Sequence, residues 1–215
     1  MENRVLIAKR VAQELNNGDV VNLGIGIPTL VANYIPSDKK VILHSENGFI
    51  GLGPAGETID PDLTNAGGQP AGIVPTGSTF DSSMSFAIVR GGHLDATVLG
   101  ALQVDQEGNL ANWTVPGKIV PGMGGAMDLV VGAKRVIVAM EHVGKGRVAK
   151  ILKKCTLPLT ATGAVDMIIT DYCVFKITSQ GIVLTETAPG VSLQTIREAT
   201  EAEYSISADL KEMAV

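Results

Sequence analysis

Aromatic side chains are scarce, with four Phe, three Tyr and one Trp among 215 residues. No stretch interleaves them with Lys or Arg, and a net charge of -5 with a pI near 5.2 runs against a nucleic-acid surface. Cysteine is scarcer still. Cys155 and Cys173 form no CxxC pair and lie beside strand-like sequence, so both are expected as buried free thiols, not as a disulfide or a zinc site. Of the three histidines, His44, His93 and His142, none has metal-ligand spacing with another His or Cys, and no G-x-S-x-G elbow accompanies them. His142 follows Glu141 at a strand end, which reads either as an acid–base pair or as a satisfied structural histidine. No apolar run is long enough to span a bilayer, and no basic amphipathic helix marks a membrane surface. Met1-Glu2-Asn3-Arg4 opens the chain without the charged and apolar regions of a signal peptide. A cytoplasmic protein is expected.

What is present is glycine and aliphatic residues. Twenty-five glycines and 45% hydrophobic residues suit one α/β domain over residues 1–215 with some long loops. Val5, Ala8, Val11, Ala12 and Leu15 recur at helical spacing, so the chain opens with an amphipathic helix that Asn16-Asn17-Gly18-Asp19 ends. Val20–Leu23 reads as a strand feeding the turn Gly24-Ile25-Gly26-Ile27-Pro28 and a short helix over Thr29–Tyr34. Val41–His44 is a second buried strand. Residues 51–78 are rich in Gly, Pro, Asn, Asp and Thr, and a long ordered loop or excursion is expected there with strand character only at Gly72–Pro75.

Asp81 or Ser82 can cap a helix running to Gly91-Gly92. Ala96–Val104 and Leu110–Val115 read as two strands joined by a hairpin turn at Asp105–Asn109. A second glycine-rich segment, Pro116 to Gly125, leads into a helix at Ala126–Val131. Val136–Met140, Met167–Thr170, Cys173–Ile177 and Ile182–Leu184 are further strands, and Ser192 can cap a last helix near Leu193–Thr200. There is no internal repeat and no linker.

Three places carry candidate chemistry. Glu46, in Ser45-Glu46-Asn47-Gly48, follows a buried strand and is stopped by an Asn-Gly turn, so it lies at a carboxyl strand end where open parallel sheets bind ligands. Its chemistry there leaves nucleophile, general base, metal ligand and salt-bridge partner open. The turn through Gly24 and Gly26 is a weak dinucleotide fingerprint, since Thr29 occupies the third glycine position. Its backbone amides could take an anion, or the glycines could serve only a tight turn. Gly124, Gly125 and Ala126 precede a helix and offer unpaired amides of the oxyanion-hole type, or form merely a tight loop.

Asn22–Pro28, Ser45–Gly48, Gly91–Asp95, Ala111–Trp113 and Gly122–Leu129, in this order, closely resemble the β subunit of the class I 3-oxoacid CoA-transferases, bacterial acetate and butyrate–acetoacetate CoA-transferases in particular. The likeness runs past Ile151–Thr160. It implies a single α/β domain with a mostly parallel sheet flanked by helices, of the kind shared by CoA-transferases and some sugar-phosphate isomerases. It further implies transfer of coenzyme A between a short-chain acyl-CoA and a carboxylate through a glutamyl-CoA thioester, with CoA thioesters as substrates and no metal, ATP or redox cofactor. By this resemblance Glu46 is the nucleophile, Asn22 borders the reacting acyl group and the CoA end, and the amides around Gly125 and Ala126 bind the oxyanion. The resemblance also implies a missing α subunit and an α2β2 or larger complex. A sugar-phosphate isomerase on the same architecture, or a non-catalytic scaffold subunit, are the competing expectations.

Overall fold

A computed structural model describes residues 2–56, 59–117 and 122–215. Helix α1 (Asn3–Glu14) leads to strand β1 (Val20–Leu23), a single turn α2 (Ile27–Leu30) continued by a 3-10 turn at Val31–Tyr34, and strand β2 (Ile42–Ser45). Strands β3 (Phe49–Gly53) and β4 (Gly72–Thr79) precede helix α3 (Ser82–Arg90) and strand β5 (Ala96–Leu99). Then come β6 (Gln103–Asp105), β7 (Leu110–Ala111), helix α4 (Ala126–Gly132), β8 (Val136–Ala139), β9 (Ile151–Leu152) and β10 (Met167–Ile169). The chain closes with β11 (Cys173–Thr178), β12 (Gly181–Thr187), helix α5 (Leu193–Ala199) and β13 (Tyr204–Glu212).

Ten of these strands form one sheet in the order β13-β12-β11-β10-β8-β5-β1-β2-β3-β4, while β7, β6 and β9 form a smaller one. The central strands β10, β8, β5, β1 and β2 run parallel, and antiparallel pairs extend them on both sides. Period-two alternation divides the core between the two faces. On one face, Val21, Leu43, Ala96, Val98, Ile137 and Ile169 pack under α1, whose Ile7 and Val11, with Leu15 just beyond its end, are fully buried. Each of those side chains contributes about 2 kcal/mol of apolar burial. On the other face, Leu99, Val138, Ile168 and Phe175 meet Val89 of α3 and Leu129 and Val130 of α4.

Helix ends follow their chemistry. Asp81 accepts a hydrogen bond from the Met84 amide at 2.8 Å, and Ser192 accepts one from the Thr195 amide at 3.1 Å, so both expected caps are in place.

Four expectations are corrected. The stretch 51–78 is an antiparallel excursion, but its strand character is not confined to Gly72–Pro75: β3 reaches Gly53 and pairs with β4, which runs to Thr79, while Glu57 and Thr58 lie outside the described residues. Its glycines reflect close strand approach: a β-carbon on Gly51 would fall 2.7 Å from the Gly77 α-carbon, and Gly51 has φ +84°. The expected strand Ala96–Val104 breaks at Gly100–Leu102, where the chain leaves the large sheet for the small one. Its return strand stops at Ala111, because Asn112 turns to side-chain bonds with Thr160 and the Gly100 carbonyl. Strands β9 and β13 escape the sequence pattern. The expected segment 118–121 lies outside the described residues.

Candidate active site

Strands β1 and β2 end side by side at the carboxyl edge of the sheet, and each delivers one functional segment there. Beyond β1, the Gly24 amide bonds to the Val98 carbonyl at 2.8 Å, and a β-carbon on Gly24 would sit 3.0 Å from both the Val98 oxygen and Leu99 Cδ2. Only glycine lets the turn hug β5. Gly26 differs, since its φ of +93° starts α2 and a β-carbon there would meet open space. It is absent from the cavity wall described below, where its neighbours Gly24 and Ile25 lie.

Beyond β2, the turn at Glu46 is tightly held. Ser45 Oγ donates to Asn47 Oδ1 at 2.6 Å, Asn47 Nδ2 donates to the Thr64 carbonyl at 2.7 Å, and the Phe80 amide donates to the Gly48 carbonyl at 2.8 Å. A β-carbon on Gly48 would lie 2.3 Å from the Phe80 oxygen, so this position too requires glycine. Alternation along β2 puts Glu46 on the same face as His44, toward α3 and α4.

There Glu46 meets the segment before α4. A β-carbon on Gly125 would sit 3.1 Å from Glu46 Oε2, and one on Gly124 would sit 3.9 Å from Oε1. The backbone therefore lies directly against the carboxylate. Burial raises the Glu46 pKa above the ordinary range; the Gly125 amide, which favours the carboxylate, works against that, and the negative Asp128 reinforces it. A carboxylate made more basic in this way is a stronger nucleophile.

Both segments open onto one cavity of about 1410 Å³, lined by Asn22, Gly24, Glu46, Gly124, Gly125 and Ala126 and walled by apolar residues such as Leu52, Val74 and Leu129. Among its described lining residues Glu46 is the one carboxylate and Lys39 the one cation, and the Lys39 ammonium is held by the Leu15 carbonyl at 2.6 Å. Asn112 and Trp113 also line it. The sequence marks their segment, but not its place on the wall.

Sequence reasoning also missed a buried polar row beside the cavity. Asn22 of β1 stands in register with His44 of β2 and Thr97 of β5, and Ser85 Oγ of α3 lies 3.0 Å from His44 Nε2. The only signal available was a polar residue inside each apolar strand. His142, by contrast, is structural: buried and stacked on Tyr172, its two ring nitrogens lie 2.9 Å and 3.0 Å from the Thr170 and Thr200 hydroxyls. Both nitrogens are thereby taken by hydroxyls, and the acid–base pairing with Glu141 is not formed. Burial pushes the thiol of half-buried Cys155 up to about 12 and raises that of Cys173, and both are free. Among the described residues no three His, Cys, Asp or Glu side chains gather as a metal site, and no helix is long and apolar enough to cross a membrane.

A carboxylate seated against glycine backbone at the edge of such a cavity is one arrangement among several folds, and comparison with known proteins resolves which. The family model described as Coenzyme A transferase matches residues 4–199. The chain belongs to that family. It is 60% identical over 210 residues to the acetate CoA-transferase subunit beta of Escherichia coli (strain K12), covering 98% of this chain and 97% of that one. It is 52% identical over 215 residues to the mitochondrial succinyl-CoA:3-ketoacid coenzyme A transferase 2B of Mus musculus, covering 98% of this chain but 41% of that longer one. The solved acyl-CoA transferase YdiF of Escherichia coli O157:H7 superposes with a TM-score of 0.81 at 28% identity as the apoenzyme, over 99% of this chain and 43% of that one. That protein has also been solved as a thioester complex with CoA. The family confirms an enzyme of coenzyme A transfer with a CoA-transferase fold, and CoA thioesters are its substrates.

Proposed function

We propose that this chain is the nucleophile-bearing half of a transferase that moves coenzyme A between a short-chain acyl-CoA and a short-chain carboxylate. The observation that carries the reading is the Glu46 carboxylate, desolvated and seated against the Gly124–Gly125 backbone on the cavity wall. An oxygen of Glu46 attacks the thioester carbonyl, the C–S bond breaks, and CoA leaves as thiolate with an acyl-glutamyl anhydride behind it. The thiolate then attacks the glutamyl carbonyl, expelling the first carboxylate and leaving a glutamyl-CoA thioester. The acceptor carboxylate reverses both steps. Each tetrahedral intermediate carries an oxyanion, and the donors assigned to it are the Gly125 amide, which bonds the Glu46 carboxylate, and the amide of Ala126 on the cavity wall. Asn22 supplies a carboxamide on the same wall.

The apolar wall serves this scheme by excluding water from two hydrolysable intermediates. A sugar-phosphate isomerase would need a free cation in the cavity, whereas Lys39 is occupied by main-chain carbonyls.

The second half of the site comes from a partner. The Escherichia coli relative is named a subunit beta, and the mouse relative is one chain more than twice the matched length. An α subunit in an α2β2 or larger complex closes the cavity over the acyl group. Incubating the co-expressed complex with acyl-CoA and no acceptor should add the mass of CoA to the Glu46 peptide. An adduct on Glu141, or on no carboxylate, overturns the assignment.

A further inference from the structure

Asn22, His44, Ser85 and Thr97 are each at most 2% exposed, yet all four are polar and lie side by side across β5, β1, β2 and α3. Their neighbours along the strands are Val, Leu and Ala, except Ser45 after His44. Burying four polar side chains in an apolar layer costs stability unless each finds a partner, and the partners here are one another. Ser85 Oγ lies 3.0 Å from His44 Nε2, His44 Nδ1 lies 3.5 Å from Asn22 Nδ2, and Thr97 Oγ1 donates to Asn22 Oδ1 at 3.5 Å. Asn22 Nδ2 also reaches the His44 carbonyl at 3.4 Å.

Protonation states follow from donor and acceptor chemistry. A carboxamide nitrogen only donates, so the His44 Nδ1 that faces it accepts, and the ring proton sits on Nε2 and points at Ser85. Burial drops the His44 pKa to about 4, which keeps the ring neutral and this tautomer available. Were Nδ1 protonated, two donors would face each other and the Asn22 amide would turn. The row ends on the cavity, because Asn22 and His44 both line it.

We propose that His44 is a positioning residue for coenzyme A transfer: Ser85 fixes its tautomer, and its bare Nδ1 holds the Asn22 carboxamide in the orientation the reacting acyl group meets. The inference rests on the proposed place of Asn22 beside that group.

The test compares kcat, KM and melting temperature for Asn22→Ala, His44→Asn, His44→Gln and Ser85→Ala in the co-expressed complex. Asparagine leaves an acceptor where Nδ1 stood and drops the Ser85 bond, whereas glutamine reaches Ser85 and leaves no acceptor near Asn22. Asn22→Ala should lower kcat about a hundredfold, the usual cost of one lost transition-state donor. His44→Gln should approach that loss with KM nearly unchanged, while His44→Asn retains most of kcat although both variants melt earlier. Equal kcat in the two histidine variants, or losses that track melting temperature alone, overturns the proposal. Should His44→Gln not fold, Ser85→Ala decides: about a tenfold loss in kcat at constant KM supports the row, and parental turnover overturns it. Parental turnover in Asn22→Ala would instead remove the role of Asn22 on which this inference stands. A dead Asn22→Ala beside a fully active His44→Gln removes only the positioning role.

Discussion

Gly125 and Glu46 stand in direct contact: a β-carbon on Gly125 would lie 3.1 Å from Glu46 Oε2 and 2.9 Å from Phe86 Cζ. Gly125→Ala must therefore displace either the carboxylate or the ring behind it. The contact at 3.1 Å makes the carboxylate give by a few tenths of an ångström, a fraction of the roughly 1 Å misplacement that costs on the order of a hundredfold in rate. We expect Gly125→Ala to fold, to bind acyl-CoA, and to lose about tenfold in kcat. Steady-state kinetics with a parallel melting curve checks this, and a normal kcat would mean that the carboxylate reacts from a different rotamer.

Glu46 itself should trade stability for chemistry. Its folded pKa is raised by burial, so the native state holds that proton more tightly than the unfolded chain does. The stabilisation linked to the proton is complete below the ordinary glutamate range and is lost as pH rises through the raised folded value. At neutral pH the ionised Glu46 thus weighs against folding, and Glu46→Gln should melt at a higher temperature while losing transfer activity. The acid limb of kcat/KM should also fall above the usual glutamate pKa, because only the carboxylate attacks. A variant that is both inactive and less stable at pH 7 would contradict the first point.

The residues proposed to carry the chemistry are more legible in the sequence than the strands around them. Glu46 stands out because an apolar run and an Asn-Gly turn bracket it locally, and α3 stands out through its cap and glycine stop. Strand β3 is hidden since Gly51 and Gly53 look like loop composition, while their cause is the neighbouring strand, far along the chain at Gly77 and Val74. Strand β13 is hidden for a different reason: it is a sheet edge whose Ser205, Asp209 and Lys211 are exposed, so it lacks the apolar run of a buried strand. The partnership of Asn22, His44, Ser85 and Thr97 depends on strand register, which no local pattern encodes. At Gly26 the sequence does not separate a positive φ from a ligand contact, because both select glycine.

Acid stability should hinge on two buried imidazoles. Burial lowers His142 to about 4, as it does His44, so each is neutral in the native state and protonated first in the unfolded chain. Their stabilisation is present above the unfolded pKa of 6.5 and is lost as pH falls toward about 4. Each shift corresponds to on the order of 3 kcal/mol over that window. Urea midpoints measured from pH 7 to pH 4 should fall steeply, and His142→Gln should flatten a substantial part of the slope. An unchanged slope would mean that carboxylates dominate the acid transition.

The last expectation concerns how α1 is fastened to the sheet. Arg10 on α1 and Glu186 on β12 form a bidentate pair with Nε–Oε2 at 2.6 Å and Nη2–Oε1 at 3.0 Å, and both side chains are buried. Burial pushes the Glu186 pKa up, but the Arg10 contacts outweigh it and hold the group below its ordinary range. Removing Arg10 leaves buried Glu186 with only the exposed Lys211 ammonium at 3.6 Å and takes the 2.6 Å partner from Glu14. The loss falls below the roughly 3–5 kcal/mol of a fully stranded buried charge, whereas replacing both members of such a pair with apolar residues of similar volume is often neutral or stabilising. Among the described residues Arg10 Nη1 has no hydrogen-bond partner, so the pair carries a desolvation cost that an apolar replacement would relieve. Arg10→Met alone should therefore lower the denaturation midpoint sharply, and Arg10→Met with Glu186→Leu should restore most of it. Neither change touches the cavity wall, so kcat for the folded complex should stay near that of the parent. If the double variant is as unstable as the single one, the pair is a net source of stability and not merely a specific fastening of α1 to β12.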